Sequence, residues 1–258
     1  LINSLILQGV GAINFVPTDP TALMSIAKKA MAKGIGMIEN GSINMAGATT
    51  LGVLIAHPDT VGQFLMEVTH EIMEGKGEFA VLSAASTSTA QNDWIEGMKK
   101  EFEGNSKYSG MTWVATVYGD DIREKSAAEA QGLIAAYPNL RAIVSPTSVG
   151  IAATAQVVTD QNLMGKVLVT GLGLPSEMID YVKNGTSSKF AIWNPVDLGY
   201  FNAYVSHHVA QGNLTGKKGE KFSAGRMGDY VVEVDGEVTF GNIFEFDASN
   251  IDEGAELF

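Results

Sequence analysis

The chain contains no cysteine, which excludes disulfides, thiolate metal sites and a cysteine nucleophile. That absence leaves the compartment open, because disulfides are also dispensable outside the cytoplasm. Basic residues are few and scattered: 17 Lys and Arg stand against 29 Asp and Glu, a formal charge of -12 over 258 residues. With no basic cluster, the composition argues against nucleic acid and anionic membrane surfaces as partners. No apolar run approaches the roughly 18 residues of a membrane span, so no direct membrane insertion is expected. Nucleotide-binding Walker loops, G-x-S-x-G and H-E-x-x-H are missing. Gly171-Leu172-Gly173-Leu174-Pro175 opens like a dinucleotide turn, but it lacks the third glycine and carries Pro175 inside the turn. His207 and His208 are adjacent on a predicted helix and diverge, while His57 and His70 have no ligand partner at a useful spacing. Neither a metal site nor a cofactor is expected.

What is present is ample apolar material, 45% of residues, arranged as short buried runs alternating with helical stripes. The pattern predicts a partial helix to Gln8, a strand over Val10–Val16, a helix over Thr21–Lys33 and a strand over Ile35–Ile38. Glu39–Thr50 has turn composition, and Pro58-Asp59-Thr60 starts a helix that runs to Gly75. Further strands are predicted near Phe79–Leu82, Thr112–Val117, Ala142–Val144, Val167–Thr170 and Phe190–Trp193. Helices are predicted near Trp94–Phe102, Lys125–Tyr137, Gly150–Gln161, Pro175–Asn184 and Leu198–Val209. This is βαβ rhythm, hence parallel sheets. From Tyr230 to Phe246 the pattern becomes alternation broken by Asp235-Gly236, which predicts an antiparallel hairpin.

The stretch from Glu78 to Glu101 organises the rest. A buried strand passes through Ser83–Asn92, a polar run without formal charge, into the stripe Trp94, Ile95, Met98. Loops at the carboxyl ends of strands are where open α/β sheets put their ligands, although the same composition also suits a solvated loop with a Ser/Thr cap. Similar polar groups follow nearly every strand: Glu39-Asn40, Gln91-Asn92 with Trp94, Pro146-Thr147-Ser148, Leu172-Gly173 and Trp193-Asn194. Planar polar side chains beside an aromatic ring suit a neutral polyhydroxylated ligand, because each hydroxyl needs a partner and the C–H face needs apolar area. Trp113, in mid-strand, reads as core. Asp120-Asp121 reads as turn and cap residues.

Two blocks share local grammar. Ala12-Ile13 leads into Pro17-Thr18-Asp19 and an Ala-rich helix, and Ala142-Ile143 leads into Pro146-Thr147-Ser148 and another. Two similar lobes follow as the expectation, residues 1–57 with 195–235 forming the first and 58–194 with 236–258 the second. Asn194, Pro195 and Asp197 lie where the chain would cross between them and are assigned as hinge residues around a ligand cleft.

With these residues in view, the chain resembles the periplasmic sugar-binding proteins of ABC transporters, of the ribose-binding type. It is most similar to the rhamnose-binding branch, whose near relatives bind a furanosyl autoinducer. The resemblance rests on VLSAASTSTAQNDWIEGMKKE, VYGDD, AYPNLRAIVSPTSVGIAA, VTGLGLPSEM, FAIWNPVDLGY, AGRMG and FDASNID. It implies an α/β fold of two Rossmann-like lobes with parallel sheets, the periplasmic binding protein type I architecture. It also implies a receptor rather than an enzyme, a monosaccharide such as rhamnose or a related deoxyhexose as ligand, a membrane permease as partner, an extracytoplasmic location and a monomeric full-length form. The alternatives are an autoinducer receptor and the effector-sensing domain of a sugar-responsive regulator.

Position by position, the resemblance makes Glu39 a ligand carboxylate and Gln91 a polar contact. Pro146 and Ser148 become backbone contacts, and Trp193-Asn194 become hinge contacts. Ala90 stands where the autoinducer receptors have an aspartate, which favours rhamnose. Gly173 stands where ribose binders have an aspartate, which disfavours ribose. The family also begins with a strand, a helix and a strand ahead of the helix at which this chain starts, so the first lobe is expected to be incomplete at its N-terminus. In that event Val10–Val16 would present an unpaired edge, with weak sugar binding and a tendency to associate.

Overall fold

A computed structural model describes residues 1–41, 45–241 and 243–258. The chain forms two compact units, one of residues 1–57, 87–90 and 193–242, the other of residues 58–86, 91–192 and 243–258. Part of the turn-rich stretch that follows Glu39, residues 42–44, lies outside the described residues.

The first unit contains α1 (Ile2–Gln8), β1 (Ala12–Phe15), α2 (Pro20–Met31), β2 (Gly36–Asn40) and β3 (Leu51–Leu54). After the second unit's main run, the chain returns to it. The second unit holds α3 (Pro58–Ile72), β4 (Gly77–Ser83), most of α4 (Thr89–Gly104), β5 (Met111–Tyr118), α5 (Arg123–Ala136) and β6 (Leu140–Ser145). It continues with α6 (Ser148–Asp160), β7 (Leu168–Gly171), α7 (Pro175–Lys183) and β8 (Phe190–Ile192). Then α8 (Pro195–Ala210), β9 (Lys221–Ser223), β10 (Asp229–Val231) and β11 (Glu237–Thr239) complete the first unit, and β12 (Phe244–Phe246) with α9 (Ile251–Leu257) the second.

In the first unit the sheet order is β1-β2-β3-β11, all parallel. Two apolar clusters clothe it. Ile6, Ile13, Ala27, Ala30 and Met37 pack with α1 and α2, while Ile38, Val53, Phe201, Phe222 and Phe240 pack with α8 and the β9–β10 ribbon. Asp19 caps α2 by accepting from the Ala22 amide at 3.1 Å, and Pro20 occupies the first helical position, where a missing N–H costs nothing.

In the second unit the order is β5-β4-β6-β7, also parallel. β8 pairs antiparallel with β12 and meets the β7 side through a bridge between Leu172 and Ala191. Phe79, fully buried, packs tilted against Trp113 and edge-to-face against Phe102 at ring distances of 5.2 and 5.6 Å, so Trp113 serves the core as expected. Helices α3 and α4 approach closely because Gly62 and Gly97 face each other. A Cβ on Gly97 would sit 2.7 Å from the Pro58 carbonyl.

Three sequence expectations need correction. The strand β3 was not foreseen; its four residues LGVL are all buried, too few to show a period, and it is fixed by pairing on both edges. The hairpin over Tyr230–Phe246 does not form. Asp235 (φ 63°) and Gly236 (φ 76°) do make a left-handed turn, but β10 pairs with β9, β11 with β3 and β12 with β8. Alternation reports one buried face and says nothing about the partner. Finally, α4 begins at Thr89, so the polar run splits into a short loop over residues 84–88 and a first helical turn.

One carboxylate anchors a whole turn of the first unit. Glu220 accepts from the Thr215, Gly216 and Lys217 amides at 2.7, 3.1 and 3.3 Å and from the Thr215 hydroxyl at 2.6 Å. Burial alone would raise its pKa, but these donors together outweigh that and lower it below the ordinary glutamate value. Stability from a depressed carboxylate is fully present above the unfolded-state pKa, about 4.3, and is lost as pH falls through the folded value. The predicted outcome is that the stability difference between wild type and Glu220→Gln, about 1 kcal/mol for a half-exposed group, shrinks toward zero as denaturation is repeated from pH 6 down to about pH 3. A difference that grows on acidification would contradict this.

Candidate functional site

The order β5-β4-β6-β7 has β5 on one side of β4 and β6 on the other. The chain therefore reverses direction across the sheet at β4 and β6, and the loops leaving their carboxyl ends diverge and open a crevice. This is the topological switch point at which α/β sheets bind ligands. The loop over residues 84–88 and the loop Pro146-Thr147 emerge there.

Backbone contacts fix both loops. The Ser145 hydroxyl donates to the Leu82 carbonyl at 2.7 Å, and the Leu172 amide donates to the Ser145 carbonyl at 2.9 Å. Gly171, at φ 143°, must be glycine, because a Cβ would meet the Ser145 backbone. The Gly173 amide donates to the Ala191 carbonyl at 2.9 Å, and a Cβ there would lie 2.9 Å from the Met178 side chain. Pro175 is the first residue of α7, where its missing N–H costs nothing.

The remaining predicted residues distribute as follows. Glu39, fully buried near the end of β2, accepts from the Met45 amide at 3.2 Å. Asn40, the last residue of β2, donates its amide to the Asn14 side chain. Gln91 and Asn92 lie in the first turn of α4 rather than in a loop, and the Asn92 amide donates to the Ser86 carbonyl at 2.8 Å. Trp94 is 3% exposed within α4. Thr147 is the N-cap residue of α6 and Ser148 its first residue. Trp193 packs against the first unit's core. Asn194 caps α8, accepting from the Val196 and Asp197 amides at 2.9 and 3.0 Å, with Pro195 as the first helical residue. Asp197 accepts from the Arg226 guanidinium, which lies 4.5 Å over the Tyr200 ring.

A pattern that the sequence did not reveal appears at the strand ends. The side-chain oxygens of Asn40, Ser83 and Thr239 are buried without a hydrogen-bond partner among the described residues. Each belongs to the last residue of its strand, β2, β4 and β11 respectively. Leaving a buried polar atom unpaired costs about 1–3 kcal/mol. Unpaired neutral groups recurring at carboxyl ends are poised for a ligand that supplies the missing partner. Ser83 lies within the polar stretch singled out above; Asn14 and Thr239 gave no signal.

Two cavities of the second unit lie away from these strand ends. One of about 450 Å³ is lined by Glu71, Ile72, Lys189 and Asp247, another of about 250 Å³ by Tyr137, Pro138, Leu140 and Val167. These residues lie at the amino ends of β4, β6, β7 and β8 or follow β12, which runs antiparallel to β8, so both cavities open at the amino ends of the parallel strands. In the larger one, hydrogen bonds to Glu71 and then Glu245, at 2.8 and 3.1 Å, already satisfy Lys189 and raise its pKa. Among the described residues no cluster of His, Asp and Glu is placed to hold a metal ion, and no helix is long and apolar enough to cross a membrane.

Residues 1–214 match the periplasmic binding protein domain family. A solute-binding protein of an ABC transporter from Clostridium phytofermentas, solved with bound L-rhamnose, is 38% identical with a TM-score of 0.95, covering 100% of this chain and 84% of that one. A sugar ABC transporter structure from Actinomyces odontolyticus is 39% identical with a TM-score of 0.77, covering 98% and 81%. The D-ribose/D-allose-binding protein of Pseudomonas aeruginosa is 24% identical over 204 residues, 74% of this chain. That alignment spans 61% of the curated relative's length.

The unpaired Ser83 hydroxyl makes a direct prediction. Ser83→Ala removes a buried donor without creating a large void, so the ligand-free protein should melt about 1–3 °C higher. A lower melting temperature would show that the hydroxyl is already paired in the free protein.

Proposed function

Since the chain belongs to the periplasmic binding protein domain family, a family of solute-binding proteins and not of enzymes, we propose that it is the sugar receptor of an ABC transporter. Its ligand is L-rhamnose or a related deoxyhexose, its partner a membrane permease and its location extracytoplasmic. The observation that carries this reading is the 38% identity over the whole chain to the structure solved with bound L-rhamnose. The buried, unpaired Ser83 hydroxyl at the carboxyl end of β4 is consistent with it, because a sugar hydroxyl can both donate and accept. The similarity to the L-rhamnose-bound structure over the whole chain supports the choice among sugars.

The ligand contacts in this reading are Glu39 and Asn40, Gln91, Asn92 and Trp94, Pro146, Thr147 and Ser148, Leu172 and Gly173, and Trp193 and Asn194. Asn194, Pro195 and Asp197 serve as the hinge. Sugar then favours the closed form because more contacts are made there, a shift of population rather than a chemical step. Ala90, standing where the autoinducer receptors have an aspartate, favours a deoxyhexose over the autoinducer.

Calorimetric titration with L-rhamnose, D-ribose, D-arabinose and the furanosyl autoinducer tests the reading. L-rhamnose should bind at least tenfold more tightly than the others. Glu39→Gln, which removes a charge-assisted hydrogen bond worth about 1.5–3 kcal/mol, should weaken it by roughly ten- to a hundredfold. Equal affinity across the panel, or binding indifferent to Glu39→Gln, would overturn the assignment.

A further inference from the structure

The turn that follows β5, Gly119-Asp120-Asp121-Ile122, holds two residues that the sequence marked only as turn formers. Asp120 and Asp121 are successive non-glycine residues in the left-handed region, at φ 54° and 53°. L-residues reach that region at a cost, and two in a row persist only where the surroundings impose them. The surroundings here are the two loops at the switch point. The Gly119 amide donates to the Ser83 carbonyl at 2.9 Å and the Asp120 amide to the Ala84 carbonyl at 3.2 Å. The Asp120 carboxylate is held by Lys125 at 2.5 Å. The Asp121 carboxylate accepts from the Thr147 hydroxyl.

One turn thus grips the base of the 84–88 loop through its backbone and the 146–147 loop through a side chain. Thr147 would ordinarily cap its own helix, yet it makes no side-chain cap bond to α6; its hydroxyl is committed to Asp121. Ser83, whose carbonyl is one of the gripped points, is fully buried, with its hydroxyl unpartnered among the described residues.

Resting on the sugar-binding role proposed for these loops, we infer that Asp121 is a positioning residue that sets the spacing of the 84–88 and 146–147 loops for ligand without touching it. Asp121 is exposed and its carboxylate is committed to the Thr147 hydroxyl, so the effect passes through Thr147.

Asp121→Gly separates positioning from stability. Glycine adopts φ near 53° without cost, so the melting temperature should hold or rise, while the bond to Thr147 is lost. In the ligand-free variant, exchange of the Ile151 amide, which donates to the Thr147 carbonyl at 3.0 Å, should accelerate about tenfold. L-rhamnose affinity should fall about tenfold. Asp121→Asn tolerates the left-handed conformation and keeps an acceptor for Thr147, so it should restore most of both. Wild-type exchange at Ile151 in Asp121→Gly would overturn the inference, as would affinity that falls only in step with melting temperature. If wild type binds no sugar of the panel, the proposed function fails. The exchange result still decides the positioning claim: acceleration in Asp121→Gly with recovery in Asp121→Asn upholds it, and no change overturns it.

Discussion

β4 is hydrogen-bonded along both edges, to β5 on one side and β6 on the other, and all three run parallel. That pairing determines where the second unit can be polar. Parallel strands must be joined by crossovers, and the crossovers on either side of β4 run in opposite directions, so the loops after β4 and β6 part at one place. Everything beneath that place is sealed. Phe79, Ala80, Val81 and Leu82 on β4 and Ala142, Ile143 and Val144 on β6 are all buried. Glycine at 171 admits the neighbouring backbone of Ser145.

The contrast between the strand ends and the rest of the molecule is electrostatic as well as geometric. The chain carries a net charge of -12, and charges such as Lys100, Lys125 and Lys183 are tied up in surface pairs with Asp59, Asp120 and Asp252. Such exposed pairs contribute little stability. At the strand ends the recurring unpaired groups are an amide oxygen and two hydroxyls. A site built this way discriminates by pairing hydroxyls, where a missing partner leaves a buried group unsatisfied. Its ligand-free form is correspondingly less stable than its burial would allow.

How much of this was legible beforehand differs from element to element. The parallel strands around Phe79 and Ile143 announced themselves as short apolar runs, and the helix from Pro58 by its proline, its acid and a long stripe, because local sequence alone determines those features. β3 and the partners of β10, β11 and β12 were not legible. A four-residue buried strand has no period, and an alternating run does not say which edge it will join. Pro146-Thr147 and Leu172-Gly173 do directly follow β6 and β7, as their sequence pattern indicates. The 83–92 stretch was read as longer than it is, since Thr89-Ala90-Gln91-Asn92 carries no apolar stripe to mark the first turn of α4. Thr239 and the link from Asp121 to Thr147 lie beyond any sequence rule, because both depend on contacts between residues distant along the chain.

The central claim is that a sugar binds at the carboxyl ends of the parallel strands, with the neutral unpaired groups there as its partners. Amide and side-chain chemical-shift mapping of the 27.3 kDa chain with and without L-rhamnose tests it most directly. The account predicts shifts concentrated at residues 39–40, 83–92, 146–148 and 172–173, including the side-chain amide of Asn40. Shifts concentrated instead at the amino-end cavities, around Tyr137, Pro138 and Val167 or around Lys189 and Asp247, would contradict it.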